Sequence, residues 1–221
     1  MCIASDRGLV IVVADGAGSA ARSEIGAELA VTVAAEHLRG DLAATDVDWT
    51  RCVVAAARSA RTAVLSRALD DGAASRDYAC TLLVAVATPR GGAALQLGDG
   101  LIAYRDHDGW APLFWPQKGE YANMTRFLTE DDADEVWETA PLPAHGIDLA
   151  LMSDGLEGLA LHFATRSIHE PFLEAVFAPL RAAKGSGEAL AISVALEGLL
   201  ASARITDRAD DDLTLCIATP A

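Results

Sequence analysis

Six apolar residues run from Leu9 to Ala14 and stop at Asp15-Gly16. A short apolar run closed by a turn dipeptide predicts a buried strand. The pattern returns near "LALMSDG", Leu149–Gly155, and predicts a strand over Ile147–Met152. Elsewhere the period is helical. From Arg22 to Leu38 the polar residues Glu24, Glu28, Thr32 and Glu36 recur every four positions, among Ala, Val and Leu. So wide an apolar face suits a helix packed on a sheet. Asp41–Asp48 reads as a polar connector and Thr50–Leu69 as a second, Ala-rich helix.

Strands cluster in the middle of the chain. Cys80–Thr88, Ala93–Leu97 and Leu101–Arg105 are apolar runs separated by "PRGG" and "GDG", both hairpin signals. His107–Gly109 reads as another turn and "WAPLF" as a further strand. Pro116–Pro143 has little periodicity and is expected to be irregular, with Trp110 and Trp115 filling its base. Gly155–Ala183 is expected to be mostly helical, including His162, and broken near Pro171, which lacks a backbone donor. Ser186–Ala203 predicts a last helix and Leu213–Ala218 a last strand, behind "DRADDD". Consecutive hairpins imply antiparallel sheets whose faces the helices cover. The expectation is a single α+β domain, residues 1–221, of two packed sheets with helices outside.

Composition narrows the function. Apolar residues make up 52% of the 221, enough for a large core. Neither a membrane-spanning run nor a secretory signal is evident. Cys2, Cys52, Cys80 and Cys216 form no CxxC pair, which argues against zinc or a disulfide framework and fits a cytoplasmic protein. A net charge of −15 opposes binding to a phosphate backbone, so nucleic acid is not expected as a partner.

The candidate chemistry lies in carboxylates at strand ends. Asp15 and Asp154 each end an apolar strand, where Asp-Gly also serves as an ordinary turn. Asp99, in "LQLGDGLIAY", sits in a strong hairpin signal. Asp210, Asp211 and Asp212 precede the last strand; if that strand runs antiparallel to Leu9–Ala14, its start lies beside Asp15. Carboxylates brought together must take up protons or bind a cation. With oxygen donors and no His or Cys cluster, the cation is hard: Mg²⁺, Mn²⁺ or, less favoured, Ca²⁺. Two such ions can clamp an in-line displacement at phosphorus and supply hydroxide near neutral pH.

"VVADGAGSA", "CTLLVAVA", "LQLGDGLIAY", "LALMSDGLEGLA" and "DDDLTLCIA" follow the motif order of the PP2C-type (PPM) protein serine/threonine phosphatases, and the chain resembles that family from Leu9 to Thr219. "DGAGSA", "GEYANMT" and "SDGLEGLA" resemble its bacterial branch. The resemblance implies an α-β-β-α sandwich and a metal-dependent phosphatase acting on phosphoproteins, with a cognate Ser/Thr kinase. It implies Mg²⁺ or Mn²⁺, two ions and a weaker third. Asp15 matches the aspartate that bridges two metals, Gly16 the glycine whose carbonyl ligates one of them, and Asp154 the ligand in "SDG". Asp211 matches the late aspartate, and Asp99 an aspartate linked to the third ion.

Three departures stand against the pattern. The family usually begins with a strand carrying a phosphate-holding arginine, then an acidic pair; these are expected to be lacking here, because Asp6 and Arg7 lie too close to the first strand for those roles to be transferred to them, and an unpaired edge at Leu9–Ala14 is expected. Asp212 stands where Asn is usual. Ala17 stands where many eukaryotic members have a His that acts as general acid, so water would protonate the leaving group. Two other readings remain open: a catalytically weak PP2C-like domain that binds phosphoproteins, and an N-terminal-nucleophile hydrolase using Cys2. Glu120–Thr125 is unlike a solvated loop and is expected near the cleft, without an assigned role.

Overall fold

In the computed structural model, residues 1–44, 46–117, 125–144, 146–209 and 211–220 are described. In chain order the elements are β1 (Cys2–Ser5), β2 (Gly8–Val13), α1 (Ser23–Asp41), α2 (Trp49–Asp70), β3 (Leu82–Thr88), β4 (Gly91–Leu97), β5 (Leu101–Asp106), β6 (Gly109–Pro112), α3 (Ala133–Val136) and β7 (Glu138–Leu142). Then follow β8 (Asp148–Met152), α4 (Glu157–Ala160), β9 (Leu161–His162), β10 (Ser167–Ile168), α5 (Glu170–Ala182), α6 (Leu190–Leu200), α7 (Ala203–Thr206) and β11 (Leu215–Ala218). They group into two compact units, Met1–Gly100 with Pro116–His145, and Leu101–Trp115 with Gly146–Ala221.

The first unit is built on an antiparallel sheet of order β1-β2-β3-β4-β7. Val10 and Val12 of β2 alternate with Ile11 and Val13 and join one core with Val84 and Val86 of β3 and the inner faces of α1 and α2. Glu24, Glu28, Thr32 and Glu36 of α1 are exposed, as the four-residue period requires. Opposite them Ala30, Ala34 and Ala35 meet Ala56, Ala57 and Ala60 of α2, all fully buried, so the two helices approach closely. Asp48 caps α2 by accepting the Arg51 N–H at 3.2 Å.

The second unit carries an antiparallel sheet of order β11-β8-β5-β6 and the small β9–β10 hairpin. Every residue of β8 is buried. Leu173 and Phe177 of α5 pack with Leu101, Ala103, Ala150 and Met152 of the sheet.

Several expectations need correction. β4 and β5 belong to different sheets, so Gly98-Asp99-Gly100 is a passage from one unit to the other and not a hairpin turn. The edge of β2 is not bare: β1 pairs with it, Cys2 opposite Ile11 through Ser5 opposite Gly8. The irregular stretch Pro116–Pro143 contains α3 and a strand, β7, that pairs with β4 over Gly92–Gln96. Periodicity missed β7 because its five residues, "ETAPL", include one buried side chain and a proline. Pro171 starts α5 instead of breaking a helix, since the first turn has no need of its N–H. His162 lies in β9, not in a helix, and stacks edge-on against His169 at 4.9 Å. α6 is shorter than Ser186–Ala203. Trp110 packs on Phe177 at 4.8 Å within the second core and does not fill the base of the Pro116–Pro143 stretch.

An ion-pair network ties α5 to its sheet. Arg181 donates to Asp148, the first residue of β8, through Nε at 2.8 Å, and to Glu174 through Nη1 at 2.7 Å. Glu174 also takes the Trp110 indole N–H at 2.7 Å, and Thr219 donates to Asp148 at 2.6 Å. Arg181 holds the Glu174 carboxyl below the usual carboxylate range, with Trp110 and Arg105 adding to the effect. Arg181→Met would leave the buried Asp148 charge poorly compensated. A loss of about 2 kcal/mol is expected, below the 3–5 kcal/mol of a fully buried pair because solvent reaches the arginine. Glu174 is the depressed-pKa case, so its contribution is present at neutral pH and lost as pH falls through its folded value. Urea unfolding should therefore show the gap between wild type and Arg181→Met shrinking on acidification.

Candidate metal centre

In the first unit, the segment that follows β2 forms a short ladder with the segment that precedes β3. Thr81 N–H donates to the Asp15 carbonyl at 2.8 Å, and Ala17 N–H donates to the Ala79 carbonyl at 2.9 Å. These two bonds flank the isolated antiparallel bridge between Gly16 and Cys80. In such a pair the flanking residues carry the ladder bonds, and the central residue turns its own N–H and C=O outward. The Gly16 carbonyl oxygen is thus directed away from Cys80. Asp15 is fixed a second time, because its N–H donates to the Thr81 hydroxyl at 2.9 Å. The Cys80 thiol is pushed up to about 12, first by burial and then by the Asp15 carboxylate, so it stays neutral and adds no second negative charge.

Asp99 lies in the same unit and is 8% exposed. Gly98, before it, has φ +103°, and a Cβ there would come within 2.5 Å of Thr81 Cγ2. Gln117 clamps this turn: its side-chain oxygen takes the Gly98 N–H at 2.9 Å, while its own N–H reaches the Gly98 carbonyl at 3.1 Å. The Gln117 amide is itself held by the Val136 carbonyl at 2.9 Å. Thr125 donates its hydroxyl to the Asp99 carboxylate. Of the stretch Glu120–Thr125, residues 120–124 lie outside the described residues; Thr125 meets Asp99.

In the second unit, β11 pairs with β8, Leu215 opposite Met152. The approach to β11 therefore lies beside the end of β8, and the last strand pairs with β8 instead of with β2, which corrects the pairing considered from sequence. Ser153 locks the two: its N–H donates to the Thr214 carbonyl at 3.1 Å, and its hydroxyl takes the Thr214 N–H at 3.0 Å and donates to the Asp212 carbonyl at 3.1 Å. Asp154 is half-buried in the turn that follows, and Asp211 is exposed with its carboxylate accepting the Asp212 N–H at 2.8 Å. Gly155 permits the approach, since a Cβ there would lie 2.5 Å from the Asp212 carbonyl oxygen and 3.3 Å from that of Asp211. Asp210 lies outside the described residues.

The first unit thus places the Asp15–Gly16 segment and the Gly98–Asp99 turn against Thr81, and the second places the Asp211 backbone against Gly155, next to Asp154. In each unit the candidate ligands are oxygen atoms, carboxylates in both and a backbone carbonyl in the first, a chemistry that fits Mg²⁺ or Mn²⁺ and not a soft metal. Sequence reasoning missed Thr81, Gln117 and Ser153, which hold these segments in place, and it singled out Thr125 without assigning it a role. The signal for Thr81 and Ser153 was a hydroxyl residue at a strand end, in "CTLLV" and "MSDG".

The sequence pattern of the family described as Protein phosphatase 2C matches residues 1–200. "Serine/threonine-protein phosphatase 3" of Escherichia coli (strain K12) is 35% identical over 215 residues, 95% of this chain and 83% of that protein. The chain belongs to the protein phosphatase 2C family of serine/threonine protein phosphatases. Among solved structures it is similar to PppA, titled a key regulatory component of T6SS in Pseudomonas aeruginosa, with TM-score 0.67 and 18% identity over 99% of this chain and 89% of that one. It is also similar to the catalytic domain of the serine threonine protein phosphatase PstP, solved with two manganese ions, at TM-score 0.62 and 17% identity over 98% of this chain and 89% of that one. These two likenesses show a shared fold.

Gly155→Ala is expected to force the Asp211–Leu213 backbone outward and to cost about 1–3 kcal/mol, the usual penalty of overpacking. Gly158→Ala, with nothing within 4 Å of its Cβ, should be neutral or stabilising in α4. Parallel urea titrations of the two variants check the contrast.

Proposed function

We propose that this chain, as a single phosphatase domain of residues 1–221, hydrolyses phosphoserine and phosphothreonine on protein substrates using two hard divalent cations, Mg²⁺ or Mn²⁺. In this reading Asp15, the Gly16 carbonyl, Asp154 and Asp211 are the ligands, and Asp99 serves a third, weaker ion. When bound, such ions supply a Lewis acid for the phosphoryl oxygens and a nucleophilic water. The observation that carries the proposal is the ladder between Gly16 and Cys80, which turns the Gly16 carbonyl oxygen outward in the residue that follows Asp15. The relative solved with manganese supports the choice of ion.

The chain's own part is positioning. The Thr81 and Ser153 bonds fix the ligand backbones, so little rearrangement is needed when charge develops on the phosphate. Ala17 is buried and brings no titratable group to the leaving oxygen, so the proton comes from solvent. The substrate is a phosphoprotein, with a cognate Ser/Thr kinase as the source of its phosphate. Cys2 is exposed in β1, and it takes no part in the reaction proposed here. Among the described residues no helix is long and apolar enough to cross a membrane.

Hydrolysis of a phosphothreonine peptide is expected to require added Mg²⁺ or Mn²⁺ and to stop in excess EDTA. Asp15→Asn should lower kcat by at least about a hundredfold, equivalent to roughly 2.7 kcal/mol, with Asp154→Asn and Asp211→Asn close behind. Asp99→Asn should cost less, and Cys2→Ala nothing. Turnover that persists in EDTA would overturn the metal-dependent reading, and activity lost in Cys2→Ala would replace it with an N-terminal nucleophile.

A further inference from the structure

Thr81 is where the Asp15 and Asp99 segments meet, and it is 5% exposed. Its hydroxyl accepts the Asp15 N–H at 2.9 Å and donates to the Asp15 carbonyl at 3.5 Å, and its backbone N–H donates to the same carbonyl at 2.8 Å. Its methyl group fills the space a side chain on Gly98 would occupy, at 2.5 Å from the Cβ position. Two different atoms of one buried side chain therefore restrain two candidate ligand segments. Valine keeps the methyl and removes the acceptor. Serine keeps the acceptor and removes the methyl.

We infer that Thr81 is a positioning residue for the metal centre, fixing Asp15 through its hydroxyl and the Asp99 turn through its methyl group. The inference rests on the proposed metal-dependent function and adds to it the group that sets the ligand geometry. A carboxylate moves with its peptide plane. Without the hydroxyl, the Asp15 N–H loses its acceptor and the plane can rotate about its remaining restraints. Mg²⁺ demands near-ideal octahedral geometry, so a small rotation of a ligand weakens binding. A bond from a buried hydroxyl is also the kind of support that keeps a ligand set within productive limits.

The test uses the full chain as wild type, Thr81→Val and Thr81→Ser. In metal-free protein, amide hydrogen exchange is read at Asp15 and Gly98, whose N–H groups are bonded to Thr81 and Gln117; in the same samples Mn²⁺ is titrated by calorimetry. Thr81→Val should speed exchange at Asp15 but not at Gly98, and should weaken Mn²⁺ binding about tenfold, a change of roughly 1.4 kcal/mol. Thr81→Ser should reverse the pattern, with faster exchange at Gly98, protected exchange at Asp15 and Mn²⁺ affinity near wild type. General loosening of the fold would move both amides together in both variants, and that result would overturn the inference. So would Thr81→Val with unaltered Mn²⁺ affinity while the wild type binds Mn²⁺. A wild type that binds no Mn²⁺ would overturn the proposed function and the role of Thr81 with it. Should Thr81→Val fail to fold, Thr81→Ser still decides: equal disturbance at Asp15 and Gly98 refutes the division of labour.

Discussion

The bonded pair Asp15–Thr81 is the constraint on which the candidate site depends. A carboxylate at the end of a strand is free to follow its loop unless its backbone is held on both sides. Here the Asp15 carbonyl and amide are both bonded to one residue, and the next residue's carbonyl is turned outward by the ladder that follows. Individually such bonds contribute only about 1 kcal/mol net. Their effect is geometric, because they convert flexible turn residues into fixed donors. The second unit repeats the device with Ser153, which bonds to the backbone on the approach to β11 and keeps Asp211 and Asp212 next to the end of β8.

The strands supply the rigidity that the locks require. β2 and β8 are apolar and buried over most of their length. Their ends therefore cannot drift without exposing core side chains, at about 25 cal/mol for each Å² of apolar surface. Electrostatics fits the same arrangement. A chain with net charge −15 that holds several carboxylates at strand ends gains by attracting small cations, and hard ions match its oxygen donors. Cys80, which pairs with Gly16, stays neutral because burial opposes its ionisation.

Much of the fold was legible because its signals are strong. The four-residue spacing of Glu24, Glu28, Thr32 and Glu36 marks α1, and the unbroken apolar runs mark β2, β3 and β8. What escaped has local chemistry that tertiary pairing overrides. "GDG" at Gly98–Gly100 carries hairpin chemistry, yet β5 pairs with β8, and no local signal records that choice. β7 lacks alternation because only Leu142 is buried. The ligand candidates Asp15, Asp99, Asp154 and Asp211 could be named from their positions at strand ends and from motif order. Thr81 and Ser153 showed only a hydroxyl at a strand end, and Gln117 no signal, since a hydroxyl or amide shows its partner only when segments distant in sequence are paired.

The central claim is that Asp15 and Asp154 are ligands of hard divalent cations. Crystals grown with Mn²⁺ and measured at the manganese absorption edge test it most directly. Anomalous peaks adjoining the carboxylates of Asp15 and Asp154, one of them also next to the Gly16 carbonyl oxygen, are the expected result. Peaks only at other carboxylates, or none in a crystal saturated with Mn²⁺, would contradict it.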